Sequence, residues 1–342
     1  MRRFNIAVVG ATGAVGEEIF RVLGEMKFPV NNVLPLASIR SAGSEIEFNG
    51  ETYKVKELTN TVFDENEVDI AFFSAGGSVS AHFAPLAAAS GALVIDNTSH
   101  FRMQANVPLV VPECNPEDIK FWKETGIIAN PNCSTIQMVQ ILKPLNDAFD
   151  IERVDVSTYQ ATSGAGKEGM DELVNELQAF FAFKLDEYEP KVFQHTIAMN
   201  VIPHIDVFQD NLYTKEEMKM VNETQKILHK KMAVSATCVR VPVLRSHSEA
   251  ITIKFRKDFE LDKVCEILSN APSLVLCDDP SKNLYPMPIF SSNTNETYVG
   301  RIRRDLFDEK ILHLWCSADQ IRVGAATNAV RIALKWIDKF AE

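Results

Sequence analysis

The stretch FNIAVVGATGAVG, residues 4–16, decides the fold of the first part of the chain. Its first six residues form a short apolar run that is typical of a buried strand, and apolar residues recur at helical spacing over 15–23. Gly10, Gly13 and Gly16 lie between the two patterns. This G-x-x-G-x-x-G spacing is a variant of the dinucleotide fingerprint, in which backbone N–H groups at a helix N-terminus bind a pyrophosphate. The alternative is a plain tight turn that packs the helix on the strand.

The alternation of strand and helix continues after this stretch. Short apolar runs at 33–38, 69–73 and 93–96 predict strands, and 79–90 predicts a helix. Strands separated by helices indicate a parallel sheet that is covered on both faces. We therefore predict an α/β fold that starts with a doubly wound, Rossmann-like dinucleotide-binding domain.

The sequence pattern changes near residue 130. The runs 151–162, 238–243 and 249–255 are longer and partly alternating, which is typical of an α+β domain with one more polar sheet face. An apolar stripe over 323–340 predicts a last helix that returns to the first domain. The expected domains are 1–130 completed by the C-terminal helix 320–342, and a second domain at 131–319.

Composition excludes several classes of function. The net charge of -11 leaves no basic surface for nucleic acid or an anionic membrane. No apolar run approaches the roughly 20 residues of a membrane-spanning helix, and the N-terminus lacks a signal-peptide pattern. The six cysteines form no C-x-x-C pair, so neither a disulfide nor a metal is expected. We expect a cytoplasmic protein.

The end of the second predicted strand indicates which dinucleotide binds. An Asp or Glu about 20 residues beyond the glycine turn usually accepts the ribose 2′-hydroxyl of NAD, but residues 37–43 read ASIRSAG. Arg40 and Ser41 suit a 2′-phosphate instead, so we predict NADP(H); the alternative for Arg40 is a solvated surface charge. The predicted cofactor-binding residues of this region are Gly10, Thr12, Gly13, Ala14, Val15, Gly16, Arg40, Ser41 and Ala42.

A cysteine stands at the start of a helical pattern in NPNCSTIQ, residues 130–137. Ser134 to Gln137 form a capping-box pattern, which places Cys133 at the helix N-terminus, where a thiolate is stabilised. Cys133 is therefore a candidate nucleophile, although a free cysteine often serves as a small buried hydrophobe. His247, in RVPVLRSHSE (240–249), connects two strand-like runs and is the best basic partner among the seven histidines.

Four motifs, GATGAVG, NPNCSTIQ, STYQATSGAG and RVPVLRSHSE, occur in this order along the chain. Together they resemble the aspartate-semialdehyde dehydrogenase family, and the resemblance extends from the first strand to the final helix. It implies NADPH-dependent reduction of L-aspartyl-4-phosphate to L-aspartate 4-semialdehyde and phosphate, through a cysteine acyl-thioester. It also implies a place in lysine, threonine, methionine and diaminopimelate biosynthesis. The second domain would be catalytic and would pair subunits into a homodimer or homotetramer.

The resemblance assigns the catalytic residues. Cys133 matches the nucleophile, Gln160 the glutamine beside it, and His247 the acid/base, a task suited to a pKa near neutrality. Negative charge develops on the substrate carbonyl oxygen, so N–H groups beside Cys133 are natural oxyanion donors, with Asn132 as a further contact.

The resemblance also assigns the substrate-binding residues. Arg240 matches the arginine that grips the substrate carboxylate, with a structural ion pair as the alternative. Arg102 and Lys219 match the phosphate contacts. Thr214 to Glu217 form a capping-box pattern, which leaves Glu216 for the substrate ammonium group; without the family, Glu216 and Lys219 would be a surface ion pair.

Further matches concern the cofactor and the shape of the phosphate loop. Ser163 and Gly164 match the nicotinamide-side loop, for which a flexible connection is the alternative, while Asn97 and Gln320 match other cofactor contacts. His100, two residues before Arg102, departs from the small residue usual in the family.

Three other functions stay open at this point. An N-acetyl-glutamyl-phosphate reductase uses the same thioester chemistry, but an acetylated amine would not need Glu216. A Cys/His acyl-transferase or hydrolase would not need the glycine turn. A catalytically silent NADP-binding homologue would not need Cys133, Gln160, Arg240 and His247 together.

Overall fold

The structure is a computed structural model that describes residues 2–341. The chain divides into two compact units, of which the first runs to Asn132 and resumes at Ala325, and the second is Cys133–Gly324. The predicted start of the returning segment, residue 320, lies within the second unit, and the first unit resumes only at Ala325.

The first unit is built on a parallel sheet. Its elements up to residue 132 are β1 (Phe4–Val9), α1 (Ala14–Glu25), β2 (Val30–Ala37), β3 (Glu45–Phe48), β4 (Glu51–Lys54), β5 (Lys56–Glu57), α2 (Val62–Glu65), β6 (Ile70–Phe73), α3 (Gly77–Ala89), β7 (Leu93–Asp96) and β8 (Ile127–Ala129). The main sheet has the order β5-β2-β1-β6-β7-β8, with every neighbouring pair parallel. β3 and β4 form a separate antiparallel pair.

The parallel sheet explains the apolar runs in the first part of the sequence. All four residues of β6 and of β7 are buried, as expected where helices cover both faces of a sheet. The predicted Rossmann-like fold is therefore confirmed. In such a sheet the residues that follow the strands lie at one edge, where ligands bind.

The second unit is a mixed sheet with helices. Its elements are α4 (Cys133–Phe149), β9 (Ile151–Gln160), α5 (Gly166–Phe181), α6 (Lys215–Leu228), β10 (Ala233–Arg240), β11 (His247–Phe255), α7 (Leu261–Asn270), β12 (Leu274–Leu276), α8 (Pro288–Ser291), β13 (Thr297–Arg304) and β14 (Ile311–Ala318). The sheet order is β10-β9-β11-β14-β13-β12. The pairs of β11 with β9 and β14 are antiparallel, whereas β10 pairs with β9 in parallel.

The helix α4 lies on this sheet and contacts β9, β11 and β14. Towards its end β11 alternates buried and half-buried residues, which confirms the predicted α+β pattern. The strand predicted at 238–243 is wrong in its bounds, because β10 ends at Arg240. Pro242 has no N–H group with which to continue the ladder.

The chain ends with a π-helical turn, Arg322–Ala326, followed by α9 (Thr327–Phe340). The helix α9 belongs to the first unit and contacts α1. Its Trp336 packs edge-on against Phe4 and Trp122. Within residues 2–341, no helix combines the length and the apolar character that crossing a membrane requires.

Candidate active site

The glycine turn of the first unit fits a dinucleotide phosphate. Gly10 has a φ of +87°, and a Cβ at Gly16 would lie 2.1 Å from the Gly10 carbonyl oxygen, so larger residues have no room at this crossing. The helix α1 begins after Gly13 without a side-chain cap. The N–H groups of a first helical turn have no partner within the helix, and here no cap side chain covers them. The turn can therefore receive an anionic group.

The end of β2 is tied to the glycine turn through the backbone, and a turn follows it. The Leu36 carbonyl accepts hydrogen bonds from the N–H groups of Gly10 at 2.8 Å and Ala11 at 3.1 Å. The Ser38 carbonyl accepts from the Ser41 N–H at 2.9 Å. Arg40 is exposed in this turn and forms no ion pair within the described part of the chain. Its charge is thus available to a phosphate bound beside the glycine turn.

Arg102 is buried in the first unit and is held by backbone carbonyls. Its Nε donates to the Asn130 oxygen at 2.9 Å, and its Nη2 donates to the Asn97 oxygen at 2.8 Å. Asn97 follows β7, and its side-chain Nδ2 donates to the Phe73 carbonyl at 3.2 Å. These carbonyl oxygens orient the guanidinium, which also interacts electrostatically with the buried carboxylate of Asp96. His100 is exposed, and its ring packs edge-on against Phe101.

Cys133 is the first residue of α4 and is half-buried. The predicted capping box is wrong, because the helix begins one residue before Ser134, and the Gln137 amide donates instead to the Cys316 sulfur at 3.7 Å. The N-terminal position of Cys133 nevertheless puts its sulfur where a helix favours a thiolate. Asn132, the residue before it, is buried.

The backbone of Gly324 lies against Cys133. A Cβ at Gly324 would approach the Cβ of Cys133 to 2.4 Å and its Cα to 2.9 Å. Gly324 belongs to the π-helical turn Arg322–Ala326, a type of turn that is frequent at functional sites. No local sequence pattern indicates this contact, because the two residues are far apart in the chain.

His247 is fully buried at the start of β11. Its Nδ1 accepts a hydrogen bond from the Ala161 N–H at 3.0 Å, so the neutral ring carries its proton on Nε2. Within residues 2–341, Nε2 has no hydrogen-bond partner. Burial and the Arg240 cation lower the pKa of His247 to about 3, although Glu216 acts in the opposite direction. The expected pKa near neutrality is therefore wrong for this state.

Arg240 lies beside His247. Its Nη1 donates to the Ala161 carbonyl at 2.6 Å, and a Cβ at Gly164 would lie 2.7 Å from Nη1 and 3.3 Å from the Nε2 of His247. Gly164 thus leaves the space that both side chains occupy. Burial lowers the pKa of Arg240, whereas Glu216 and Cys133 raise it, so both acidic groups interact electrostatically with this guanidinium.

Glu216 is the centre of a second group of polar contacts, which includes Gln160 and Lys219. The Oε1 of Glu216 accepts from the Gln160 amide at 3.4 Å, and its Oε2 accepts from Lys219 Nζ at 2.9 Å. Lys219 also pairs with Asp206 at 2.9 Å. Burial acts to lower the pKa of Lys219, but Glu216 and Asp206 together raise it above its usual value. No sequence pattern indicated Asp206 as part of this group.

The capping box predicted at the start of α6 is confirmed. Thr214 accepts from the Glu217 N–H, and the Glu217 carboxylate accepts from the Thr214 N–H at 2.7 Å. The carboxylate of Glu216 is thereby left to face Gln160 and Lys219.

Gln320 joins two loops of the second unit. Its Oε1 accepts from the Ser246 N–H at 2.8 Å, and its Nε2 donates to Ser163 Oγ. Gln320 and Ser163, which the resemblance assigned to the cofactor, therefore contact each other, and Ser246 is the residue before His247.

The second unit thus brings most of the predicted catalytic and substrate-binding residues into one cluster of linked contacts. The cluster comprises Cys133, Gln160, Ser163, Gly164, Glu216, Lys219, Arg240, His247 and Gln320. A thiol at a helix N-terminus, an N–H donor and a buried guanidinium suit nucleophilic attack on an acyl group and stabilisation of the oxyanion that forms.

Comparisons with known proteins agree with both units. Residues 5–122 match a family model described as "Semialdehyde dehydrogenase, NAD binding domain". Residues 142–323 match one described as "Semialdehyde dehydrogenase, dimerisation domain". The first match contains GATGAVG, and the second contains STYQATSGAG and RVPVLRSHSE.

Similar full-length proteins carry a single name. The chain is 72% identical to an aspartate-semialdehyde dehydrogenase of Campylobacter jejuni, with 98% of each chain covered. It is 55% identical to one of Helicobacter pylori, with 98% and 99% covered. A solved structure of aspartate semialdehyde dehydrogenase II from Vibrio cholerae, complexed with ASA, superposes with a TM-score of 0.96 at 46% identity, covering 99% of this chain and 100% of that one.

Proposed function

The chain belongs to the aspartate-semialdehyde dehydrogenase family, and on that premise we propose that it catalyses the reversible reduction of L-aspartyl-4-phosphate to L-aspartate 4-semialdehyde and phosphate. It is an oxidoreductase of amino-acid biosynthesis that uses a nicotinamide dinucleotide. The pathways expected are those to lysine, threonine, methionine and diaminopimelate. The observation that carries the proposal is the thiol of Cys133 at the start of α4, coupled electrostatically to the buried Arg240 beside His247.

In the acylation step the Cys133 thiolate attacks the carbonyl carbon of the acyl phosphate. A C–S bond forms, the C–O bond to phosphate breaks, and phosphate leaves with the electron pair. The N–H groups of the first turn of α4 and the Nε2–H of His247 are the proposed donors to the oxyanion, with Asn132 as a further contact. Covalent capture divides one difficult step into two easier ones.

A reduced nicotinamide dinucleotide, when held by the residues named below, would supply the hydride that the thioester carbon requires and would be left in its oxidised form. The resulting thiohemiacetal oxygen is stabilised by the same donors. When its carbonyl re-forms, the C–S bond breaks and Cys133 leaves as a thiolate, so the nucleophile is regenerated. The resemblance implied an acid/base role for His247; its neutral, Nε2-protonated ring supports a contribution as a hydrogen-bond donor to this oxygen.

Substrate recognition is proposed to rest on four charged side chains. Arg240 grips the carboxylate with its planar fork, and Glu216 meets the ammonium group. Arg102 and Lys219 bind the phosphate, as the resemblance implies. The buried position of Arg240, Glu216 and Arg102 supports this assignment, because a charge held away from water discriminates strongly between ligands.

The cofactor is proposed to be NADP(H). The glycine turn, with Thr12, Ala14 and Val15 around it, would hold the pyrophosphate, and Arg40, Ser41 and Ala42 the 2′-phosphate. The exposed Arg40, without an internal ion pair among the described residues, supports the choice of NADP over NAD. Asn97, Ser163, Gly164 and Gln320 are the proposed contacts on the nicotinamide side.

The protein is proposed to form a homodimer or a dimer of such dimers, through the second unit. Many large apolar side chains of residues 180–213 are exposed, which is the kind of surface that a subunit interface covers. They include Phe181, Phe183, Met199, Val201, Val207, Phe208 and Leu212. The family description of a dimerisation domain supports this assignment. A cytoplasmic location stays a prediction.

The relatives do not favour the other functions that the sequence left open. None of the similar proteins named above is an N-acetyl-glutamyl-phosphate reductase, and an acetylated amine would present no positive charge to the buried carboxylate of Glu216. The match of an NAD binding domain argues against a hydrolase that uses no nicotinamide. The complete set of Cys133, Gln160, Arg240 and His247 argues against a silent homologue.

The proposed function is tested by following the absorbance of reduced cofactor after aspartate semialdehyde is added with NADP. The reaction is run with and without phosphate, and with NAD in place of NADP. Phosphate-dependent reduction of NADP is the expected result. Turnover only with the N-acetyl-glutamate analogue, or no turnover by folded protein, would contradict the proposal.

A further inference from the structure

Asp319, which no motif singled out, is fully buried at the end of β14. Its Oδ2 accepts from Arg245 Nε and from the Asn293 N–H, both at 2.6 Å. Its Oδ1 accepts from the N–H groups of Ile321 at 3.0 Å and Arg322 at 3.3 Å. A buried carboxylate with four donors is a strong local constraint, because each charge-assisted hydrogen bond fixes the direction of its partner.

The same residue closes a turn behind the nucleophile. We call residues 319–324 the backing turn. The Asp319 carbonyl accepts from the N–H groups of Arg322 at 3.1 Å and Gly324 at 3.3 Å. Gly324 in turn lies against Cys133, close enough that an added Cβ would come within 2.4 Å of the Cys133 Cβ. The position of this turn therefore limits where the thiol can lie.

The backing turn also holds the segment that leads into His247. Ala318, just before the turn, pairs with His247 across the ladder of β14 and β11. Arg245 reaches Asp319 from two residues before His247. Ser246 has a φ of +76°, an uncommon conformation for a residue other than glycine. Its N–H is held by the Gln320 side chain at 2.8 Å.

We propose that Asp319 is a positioning residue for the reaction, which fixes the Cys133 thiol and the His247 ring relative to each other through the backing turn. The kinetic effects expected from this inference rest on the proposed function, whereas the geometry behind it does not. Misplacement of a reacting group by about 1 Å typically costs about 10²-fold in rate. Asp319 touches neither the thiol nor the imidazole in the contacts described, so its effect is exerted through Gly324 and Arg245.

The first test is Asp319→Asn, which keeps the shape of the side chain. The asparagine amide has one oxygen and one NH2 group in place of the two carboxylate oxygens. Whichever way the amide is oriented, its NH2 group faces two of the four donors, so two hydrogen bonds are lost. We expect kcat to fall about 10- to 100-fold, as for a misplaced catalytic group, and the KM values for aspartate semialdehyde and NADP to change less than about 2-fold.

Asp305→Asn is the matched control. Asp305 lies between β13 and β14 and also accepts from a side chain, His313 Nε2 at 2.8 Å, and from two N–H groups, those of Phe307 at 2.8 Å and Asp308 at 3.0 Å. Asp305→Asn removes similar hydrogen bonds from the loop between β13 and β14, at the opposite end of β14 from Asp319. An equal loss of kcat in both variants would make Asp319 merely structural and would overturn the proposal.

A second readout does not require turnover. The rate of alkylation of Cys133 by iodoacetamide is measured by peptide mass spectrometry between pH 6 and 9. We expect Asp319→Asn to change this rate and its pH dependence, and Asp305→Asn to leave both unchanged. An unchanged alkylation profile in Asp319→Asn, together with wild-type kcat, would refute the proposal. If the wild-type protein shows no turnover, the proposed function fails, while the alkylation result still decides the positioning role.

Gly324→Ala tests the contact itself in case Asp319→Asn does not fold. The added Cβ overlaps Cys133, so the thiol must move, and we expect a loss of about 10²-fold in kcat with an altered alkylation rate. Gly24→Ala is its control, because a Cβ there meets only the end of the Asn49 side chain, at 3.1 Å, and one Phe48 ring atom, at 3.9 Å. Wild-type kcat and alkylation in Gly324→Ala would show that the backing turn does not set the thiol position.

Discussion

The imidazole of His247 accepts the N–H of Ala161 on Nδ1 at 3.0 Å, and this one contact fixes which nitrogen carries the proton. A protonated imidazolium would also carry an N–H group on Nδ1, and that group would face the N–H of Ala161, which is itself a donor. The charged form is further disfavoured by burial and by Arg240. His247 is therefore a neutral ring with its N–H group on Nε2.

Protonation of His247 couples to stability with a definite sign. The folded-state pKa of about 3 lies below the unfolded value of about 6.5. Between these values the unfolded state binds more protons, so stability is retained above about pH 6.5 and falls as the pH decreases. At pH 5 the loss amounts to about 2 kcal/mol.

This loss is measured by urea unfolding of the wild type and His247→Gln at pH 8 and pH 5. The variant lacks the titrating ring, so the difference between the two proteins should shift by about 2 kcal/mol between these pH values. The same pH dependence in both proteins would show that His247 can be protonated in the folded state.

Cys133→Ser is expected to abolish turnover, because a hydroxyl is a far weaker nucleophile than a thiolate at neutral pH. NADP affinity, measured by fluorescence, should stay close to that of the wild type. Cys265→Ser is the control, since Cys265 is also half-buried in the second unit but lies in α7. Substantial residual activity in Cys133→Ser would remove the thioester from the mechanism.

Arg240→Lys should damage substrate binding and orientation, because a point charge cannot reproduce the planar fork. Loss of one hydrogen bond to a charged group costs about 1.5–3 kcal/mol, so kcat/KM should fall about 10- to 100-fold. Arg153→Lys, at an exposed pair with Asp155, should behave as the wild type. Unchanged kinetics in Arg240→Lys would exclude Arg240 from the site.

Arg40→Ala tests the choice of cofactor. If Arg40 binds the 2′-phosphate, the KM for NADP should rise about 10-fold, in line with one charge-assisted hydrogen bond, whereas the KM for NAD should change little. Arg21→Ala, at another exposed arginine of the first unit, is the control. Equal effects on the two cofactors would leave Arg40 as a solvated surface charge.

The features that the sequence predicted well are local ones. The glycine turn, the bounds of β1 and β7, and the Thr214–Glu217 capping box depend on residues that are neighbours in the chain. The predicted start of α4 is one residue too late, because the capping pattern of Ser134 to Gln137 does not form and the Gln137 amide donates to Cys316 instead.

The supporting contacts of the site were not predictable in this way. Ala161 contacts His247 through its backbone N–H group. Any residue except proline can supply that group, so the residue type does not indicate the contact. Asp206, Asp319 and Gly324 act on residues that are distant in the chain. The contact of Asp319 with Arg245 depends on the pairing of β14 with β11, and a single sequence does not specify that pairing.

The proposed mechanism depends on an acyl-thioester between the aspartyl group and Cys133, which peptide mass spectrometry can detect. The enzyme is mixed with aspartate semialdehyde and NADP without phosphate, quenched in acid and digested. We expect an aspartyl adduct on the peptide that contains Cys133, which disappears when phosphate is added before the quench. Oxidation of the aldehyde without any adduct on Cys133, or an adduct on another residue that phosphate discharges, would contradict it.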